Sequence, residues 1–112
     1  MKPIIKYSNI ISLMNIGGIS LFPFIILKEK YNYNNRVSKI IKNHETIHYY
    51  QQLELLVIPF YLLYILEWFI KLFIYGKDAY LYISFEREAY KYESDVNYIS
   101  NRKWYSSLKY IF

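Results

Sequence analysis

The 112-residue chain contains no cysteine. Disulfide bonds and thiolate metal sites are therefore excluded. Any metal ion must be held by histidine and carboxylate side chains, which is the ligand set of a catalytic zinc rather than a structural one. Histidine is also scarce, because His44 and His48 are the only two in the sequence and lie four positions apart.

The chain also lacks a run of basic residues, although its formal net charge is +5. Lysine supplies 11 of the 14 cations, and the lysines are scattered along the sequence. This distribution favours an anionic membrane surface as a partner and gives no sign of a nucleic-acid-binding module. No small-residue cleavage site follows the apolar N-terminal stretch, so we expect a membrane-associated or cytoplasmic protein rather than a cleaved, secreted one.

Apolar residues, by contrast, are abundant at 54%, and aromatic residues reach 21%, with 15 tyrosines. At this length we predict a single domain, residues 1–112, with a modest core. Tyrosine, isoleucine, lysine and asparagine all have AT-rich codons, so the tyrosine count by itself does not indicate a function.

Residues 10–27 carry no charge and, at 18 residues, just reach the length of a membrane-span candidate. Lys2 and Lys6 precede them, as in a signal anchor. Pro23 and the Gly17–Gly18 pair interrupt the stretch, however, and favour a β-hairpin. The membrane anchor stays as the alternative.

The predicted hairpin lies within an N-terminal region of residues 1–30. Its strands would be Tyr7–Met14 and Ile19–Leu27, joined by a turn near Asn15–Gly18. Because Pro23 has no backbone donor, the second strand would be an edge strand.

The two histidines belong to the sequence His44-Glu45-Thr46-Ile47-His48, which has the form His-Glu-x-x-His. Positions i and i+4 of a helix lie on the same face, so both imidazoles can offer a nitrogen to one metal ion. Glu45 points to the side, where its carboxylate can reach a metal-bound water.

The positions around this motif indicate a helix. Spacings of three, four and seven residues place one stripe on a helix surface. Its members are Ile40, Ile41, His44, Ile47, His48, Gln51 and Leu55. We predict a helix from about Val37 to Val57, with Ser38 as its N-cap and Pro59 preventing its continuation. Gln51 is expected to be a polar residue at the edge of the core.

The next apolar run, Leu55–Tyr75, has the length of a membrane helix but contains Pro59, Glu67 and Lys71. On an insertion scale its apolar residues gain about 0.3–0.6 kcal/mol each and the two charges cost about 3 kcal/mol each, so the sum is near zero. These energies alone do not decide whether the run enters a bilayer. Glu67 and Lys71 also have the i, i+4 spacing of a helical ion pair.

Gly76-Lys77-Asp78 predicts that this helix ends at the glycine and that another begins at Asp78. The third helix would run from Ala79 to about Tyr98, so that the helices of a metal site occupy residues 37–98. A basic, aromatic tail follows at residues 101–112, suited to a short helix or a membrane interface.

A zinc ion held by two histidines needs a third protein ligand, with one position left for water. The third helix offers Glu86 and Glu88, which face different sides. Glu86 shares its face with Tyr90 and Glu93. Spacing alone leaves both Glu86 and Glu88 open as ligands.

The His44–His48 motif, followed by a helical Glu-x-x-Ala at Glu86–Ala89, resembles the gluzincin metallopeptidases. The similarity is to membrane-linked types: the CAAX-processing and heat-shock membrane peptidases, and the peptidase domains of β-lactam sensor proteins. Gln51 also resembles a position in small gluzincin-like domains of bacteria. The resemblance covers about residues 40–90 at motif level. It implies a Zn²⁺ cofactor with Glu86 as the third ligand.

The chain departs from the family pattern at Tyr90, where the family has an aspartate. The departure removes a carboxylate that would orient a histidine, and Glu88, Glu93 or Asp95 is the candidate replacement. In the resulting site Glu45 would act as general base, and Tyr90 would stabilise the oxyanion.

The expected fold is α+β and mainly helical, with an N-terminal β-hairpin followed by about three antiparallel helices. At about 1.5 Å per helical residue, the path from His48 through residues 60–75 and along the third helix returns Glu86 to the histidines. One full membrane crossing by Leu55–Tyr75 would put Glu86 on the far side. We therefore predict that this run is a buried core helix or part of a hairpin dipped into the bilayer.

Two functions follow from these features. The first is a small zinc metallopeptidase, or a relative that kept the site, which acts on a peptide or protein near a membrane. Its edge strand, Ile19–Leu27, would pair with the extended substrate. The second is a small membrane-associated protein without catalysis, in which a metal is structural or absent.

Overall fold

The structure is a computed structural model that describes residues 2–9 and 17–111. A small sheet precedes the helices, so the predicted α+β, mainly helical class is confirmed. The strands are β1 (Ile4–Ser8), β2 (Gly18–Leu21) and β3 (Phe24–Lys28). The helices are α1 (Arg36–Glu54), α2 (Ile58–Tyr75), α3 (Ser84–Tyr92) and α4 (Tyr98–Asn101). Short 3-10 helices occupy Glu29–Tyr31, Gly76–Tyr82 and Ser106–Tyr110.

The sheet has the order β1-β3-β2, with β1 parallel and β2 antiparallel to the central β3. The hairpin joins β2 to β3 through the cis peptide Phe22–Pro23. The predicted single strand Ile19–Leu27 is therefore wrong, because that range contains two strands and their turn. Pro23 lies in the turn, where its missing donor removes no hydrogen bond from the ladder. Within the described residues β2 is an edge strand.

Residues 15 and 16 of the predicted turn Asn15–Gly18, and most of the predicted strand Tyr7–Met14, lie outside the described residues. Gly18, however, is the first residue of β2. A Cβ at Gly18 would lie 2.5 Å from Leu27 Cδ2 and 2.9 Å from the carbonyl oxygen of Ile26. Gly18 therefore serves a close approach of backbone rather than a turn.

The ends of α1 differ from the prediction for local reasons. Asn35 caps the helix, because its side chain accepts a 2.9 Å hydrogen bond from the backbone N–H of Ser38. The helix ends three residues earlier than predicted, and Leu56 and Val57 follow with positive φ angles of 62° and 66°. Pro59 then lies in the first turn of α2, where a missing N–H loses no helical hydrogen bond.

The chain reverses direction after α2. Gly76, with φ of 60°, ends the helix as predicted. Glu67 of α2 accepts hydrogen bonds from the backbone N–H (2.5 Å) and the hydroxyl (2.6 Å) of Ser84. A continuous helix would separate these two residues by about 25 Å. The predicted third helix, Ala79–Tyr98, is therefore wrong in its bounds: α3 begins at Ser84, and Glu67 satisfies its first N–H.

Most of α2 is exposed. The stretch Ile58–Tyr92 is long and apolar enough to cross a membrane by length and composition, yet only 11% of its most apolar window is buried. The prediction of a buried core helix is therefore wrong. The reversal after Gly76 agrees with the alternative, in which the run forms one side of a hairpin.

Two small apolar clusters hold the helices in place. β3 packs against Tyr49 of α1, through the buried side chains of Ile25 and Leu27. Phe60 of α2 packs against Phe85 of α3, together with Ile83. The first cluster fixes α1 on the sheet, and the second fixes α3 on α2.

Candidate metal centre

The two histidines lie in the middle of α1, on its buried side. His44 and His48 are one helical turn apart, with ring centroids 4.9 Å from each other. Both side chains are buried, as is Glu45 between them. The i, i+4 spacing therefore produces the shared face that the sequence predicted.

Glu86 of α3 meets both imidazoles. Its Oε1 lies 3.1 Å from His44 Nε2 and 3.1 Å from His48 Nε2. One ligand atom from each of the three residues lies within 4.8 Å of the other two, so this group could hold a metal ion. Two nitrogens and one carboxylate oxygen are the donor set of a catalytic zinc site with an open position.

The second oxygen of Glu86 is also held. Tyr64 of α2 donates a 2.7 Å hydrogen bond to Glu86 Oε2. Burial, reinforced by the negative charge of Glu86, raises the pKa of Tyr64, so the phenol remains a donor at neutral pH. Tyr64 therefore leaves Oε1 to face the histidines. Sequence reasoning missed this residue, because one tyrosine in an apolar run of a tyrosine-rich chain gives no distinguishing signal.

Glu86 and His48 shift each other's pKa. Burial tends to raise the pKa of Glu86, but the charge of His48 and the hydrogen bonds from both histidines outweigh it and lower that pKa. Burial likewise tends to lower the pKa of His48, but the charge of Glu86 and the hydrogen bond to it raise the pKa to about 9. In the metal-free protein at neutral pH, His48 is therefore a cation paired with the Glu86 carboxylate.

Glu45 lies beside two cavities that meet at the site. One, of about 280 Å³, is lined by β2 and by apolar and aromatic residues of α2. The other, of about 350 Å³, is lined by Tyr80, Tyr90 and Glu93. Burial raises the pKa of Glu45, an effect that the two histidines oppose. A carboxylate with a raised pKa beside an accessible cavity is suited to accept and return a proton.

β2 passes close to Glu45. A Cβ at Gly18 would lie 3.3 Å from Glu45 Cγ. Gln52 of α1 bonds the outer side of the strand, because its Nε2 donates to the Ser20 carbonyl (2.7 Å) and its Oε1 accepts from the Phe22 N–H (2.9 Å). The outer edge of β2 is thus occupied near Phe22, while its start at Gly18 faces the site.

Tyr90 packs on the site through its ring. The centroids of Tyr90 and His44 are 4.5 Å apart, in an edge arrangement. The Tyr90 hydroxyl donates to the hydroxyl of Tyr80 at 3.2 Å. Tyr80 lines both cavities and was not singled out from the sequence. The structure thus places Tyr80, as well as Tyr90, at the cavities beside the site.

The other three carboxylates named from the sequence lie at different distances from the histidines. Glu93 Oε2 lies 3.4 Å from His44 Nδ1, on the side of the ring away from Glu86. Glu88 is fully buried and contacts Arg102, not the histidines, so the structure does not bring this alternative ligand to the group. Asp95 accepts from the N–H of Asn97, two residues further along the chain.

Comparison with protein-family models, with curated proteins and with solved structures finds no match to this chain.

Proposed function

We propose that this protein is a small zinc-dependent metallopeptidase, or a relative that kept the site, and that it acts on a peptide or protein near a membrane. The observation that carries the proposal is the meeting of His44, His48 and Glu86 next to the Glu45 carboxylate, at a cavity that a substrate could enter. Helix geometry brings three of these residues together, and only the fold adds the fourth.

Zinc, when bound, supplies a Lewis acid that lowers the pKa of a water molecule to about 7. His44, His48 and Glu86 would hold the ion, and Tyr64 would keep Glu86 in the ligating orientation. Glu45 would take the proton from the attacking water and deliver it to the leaving amine. Tyr90 or its neighbour Tyr80 would donate a hydrogen bond to the oxygen on which negative charge develops.

An extended substrate has a place to bind at β2. Alternate residues of an edge strand direct their backbone groups away from the sheet, and Ser20 does so here, since its carbonyl is bonded by Gln52. Gly18, two residues earlier, has the same orientation and no side chain. A peptide pairing at Gly18 would run alongside Glu45.

Metal analysis of the purified protein tests this proposal most directly. We expect the wild type to retain zinc through dialysis, and His44→Ala and Glu86→Ala to lose it. Glu45→Gln should keep the zinc and lose peptide cleavage by about 10²–10⁴-fold, as expected for removal of a general base. Cleavage is followed by mass spectrometry on a mixed peptide library. A wild type that binds no zinc would refute the proposal.

The second candidate function is membrane association without catalysis, and the outer surface of α2 favours it. Large apolar side chains cover this surface, and Phe73 is 80% exposed. The two charged residues of the helix, Glu67 and Lys71, turn inward and pair with each other at 2.7 Å. Flotation with liposomes tests the location. Flotation of a protein that retains no metal after purification, cleaves no peptide and shows no change of stability with a chelator would favour this second function.

A further inference from the structure

A chain of buried polar contacts leads from His48 away from the candidate metal position. His48 Nδ1 lies 2.8 Å from Gln51 Oε1. The Gln51 amide nitrogen donates to Glu88 Oε1 at 2.9 Å and to the Phe85 carbonyl at 3.1 Å. Gln51 is fully buried, whereas the sequence placed it at the edge of the core.

These partners determine which way the Gln51 amide points. A carboxylate and a carbonyl can only accept, so the amide NH₂ must face Glu88 and Phe85. The amide oxygen must then face His48. An amide oxygen cannot donate, so His48 Nδ1 carries a proton and donates a hydrogen bond to the Gln51 amide oxygen. His48 Nε2 is consequently the nitrogen left to ligate.

Glu88 is itself held from two sides. Arg102 donates to Glu88 through Nε (2.5 Å) and Nη2 (3.0 Å), and to both oxygens of Glu54. Tyr98 donates to Glu88 Oε2 at 2.5 Å. Both Glu88 oxygens accept hydrogen bonds from Arg102, and Oε2 also accepts from Tyr98, so Glu88 meets the Gln51 amide as an acceptor.

We propose that Gln51 is a positioning residue of the metal centre: anchored by Glu88 and Arg102, it keeps the proton on His48 Nδ1 and directs Nε2 to the metal. This inference rests on the proposed function, because it assumes that His48 ligates a metal ion. It assigns a role to Arg102, 54 residues downstream of His48, that neither the spacing nor the motif indicates. Partners of this kind change metal affinity by about 10- to 100-fold when removed.

Gln52 provides a matched control. It is the neighbouring residue on α1, its amide is also buried, and it makes hydrogen bonds to Ser20 and Phe22. None of its partners is a candidate metal ligand. Gln51→Leu and Gln52→Leu each remove one buried amide, so both should lower the thermal midpoint. Only Gln51→Leu should affect His48.

Two measurements test the inference. In metal-free protein at pH 6, NMR of the wild type and of Gln52→Leu should show a slowly exchanging, hydrogen-bonded Nδ1–H of His48, and Gln51→Leu should lose it. Zinc affinity, measured by chelator competition, should fall about 10- to 100-fold in Gln51→Leu and by less than about tenfold in Gln52→Leu.

The outcomes separate the two proposals. A wild type without zinc refutes the proposed function, and the Nδ1–H signal still tests the role of Gln51. A wild type that lacks the protected Nδ1–H, or equal zinc affinities in Gln51→Leu and Gln52→Leu, overturns the inference while leaving the proposed function intact.

Discussion

The residues buried beside α1 are largely polar or charged, whereas the residues exposed on α2 are largely apolar. This is the reverse of the usual distribution in a globular domain. Histidines, glutamates and Arg102 are buried beside α1, where Glu86 contacts both histidines and Arg102 pairs with Glu54 and Glu88. Leucine, isoleucine and phenylalanine side chains cover the outside of α2. The interior arrangement is typical of a site that must hold ions or protons. The exterior arrangement is typical of a surface that contacts lipid or another protein.

The comparison of these regions shows that two charged residues on the inner side of an apolar helix can attach a neighbouring helix to it. Glu67 and Lys71 neutralise each other, Glu67 binds the start of α3, and Lys71 donates to the carbonyl of Tyr82. These contacts hold α3, and therefore Glu86, against α2. The apolar helix thus supports the polar site through its inner side and leaves its outer side uncharged.

The largest expected effect comes from placing charge on the outside of α2. Phe69→Glu with Phe73→Glu should abolish liposome flotation, because two acidic residues in place of phenylalanine cost about 6 kcal/mol together on an insertion scale. Both side chains are exposed, so zinc binding and the unfolding midpoint should change little. Tyr33→Glu with Val37→Glu, two exposed positions near the start of α1, is the control. Equal flotation of both double variants would show that α2 does not contact the membrane.

A slightly smaller effect is expected from removing the buried cation Arg102 from its two glutamate partners. Arg102→Met leaves Glu54 and Glu88 buried without their cation, so the free energy of unfolding should fall by about 3–5 kcal/mol. Urea denaturation followed by circular dichroism measures the change. Arg36→Met, at an exposed position of α1, should have an effect below about 0.5 kcal/mol. A small effect of Arg102→Met would mean that the interior charges are not coupled as their contacts indicate.

The pKa of His48 provides a further comparison. A change of pH between 6 and 9 should alter the stability and zinc affinity of the polar interior, and should leave the membrane contact of α2 unchanged. The ordinary pKa of 6.5 rises to about 9 in the metal-free fold. The associated stability is therefore fully present below pH 6.5 and is lost as the pH rises through 9. Zinc must displace the same proton, so its affinity should increase about tenfold per pH unit between pH 7 and 9. Chelator competition at three pH values checks this, and a flat profile would contradict it.

The smallest effect separates two tyrosines, the half-buried Tyr64 and the buried Tyr49. Tyr64→Phe removes the donor to Glu86 and should lower the free energy of unfolding by about 1.5–3 kcal/mol, the range for hydrogen bonds to charged groups. It should also weaken zinc binding. Tyr49→Phe should be neutral or slightly stabilising, because among the described residues the Tyr49 hydroxyl has no hydrogen-bond partner. Equal losses of unfolding free energy in both variants would show that the Tyr64 hydroxyl does not stabilise Glu86.

Part of the fold and of the candidate site could be predicted from the sequence, because these features depend on local helix geometry. The face shared by His44 and His48 follows from 3.6 residues per turn, and the helix stop at Gly76 follows from its permissive φ. The wrong predictions depend on distant partners. The strand Ile19–Leu27 was divided by a turn at Pro23, and the bounds of α3 were set by Glu67 of another helix.

The sequence by itself determined that the chain is α+β and mainly helical, with two imidazoles and a carboxylate on one helix. Only the tertiary structure decided which glutamate joins them. Glu86 and Glu88 differ by two positions and are chemically identical, yet one faces the histidines and the other faces Arg102. The reason is that a helical period fixes neighbours within a few residues, whereas contacts across 38 or more positions depend on how whole helices pack.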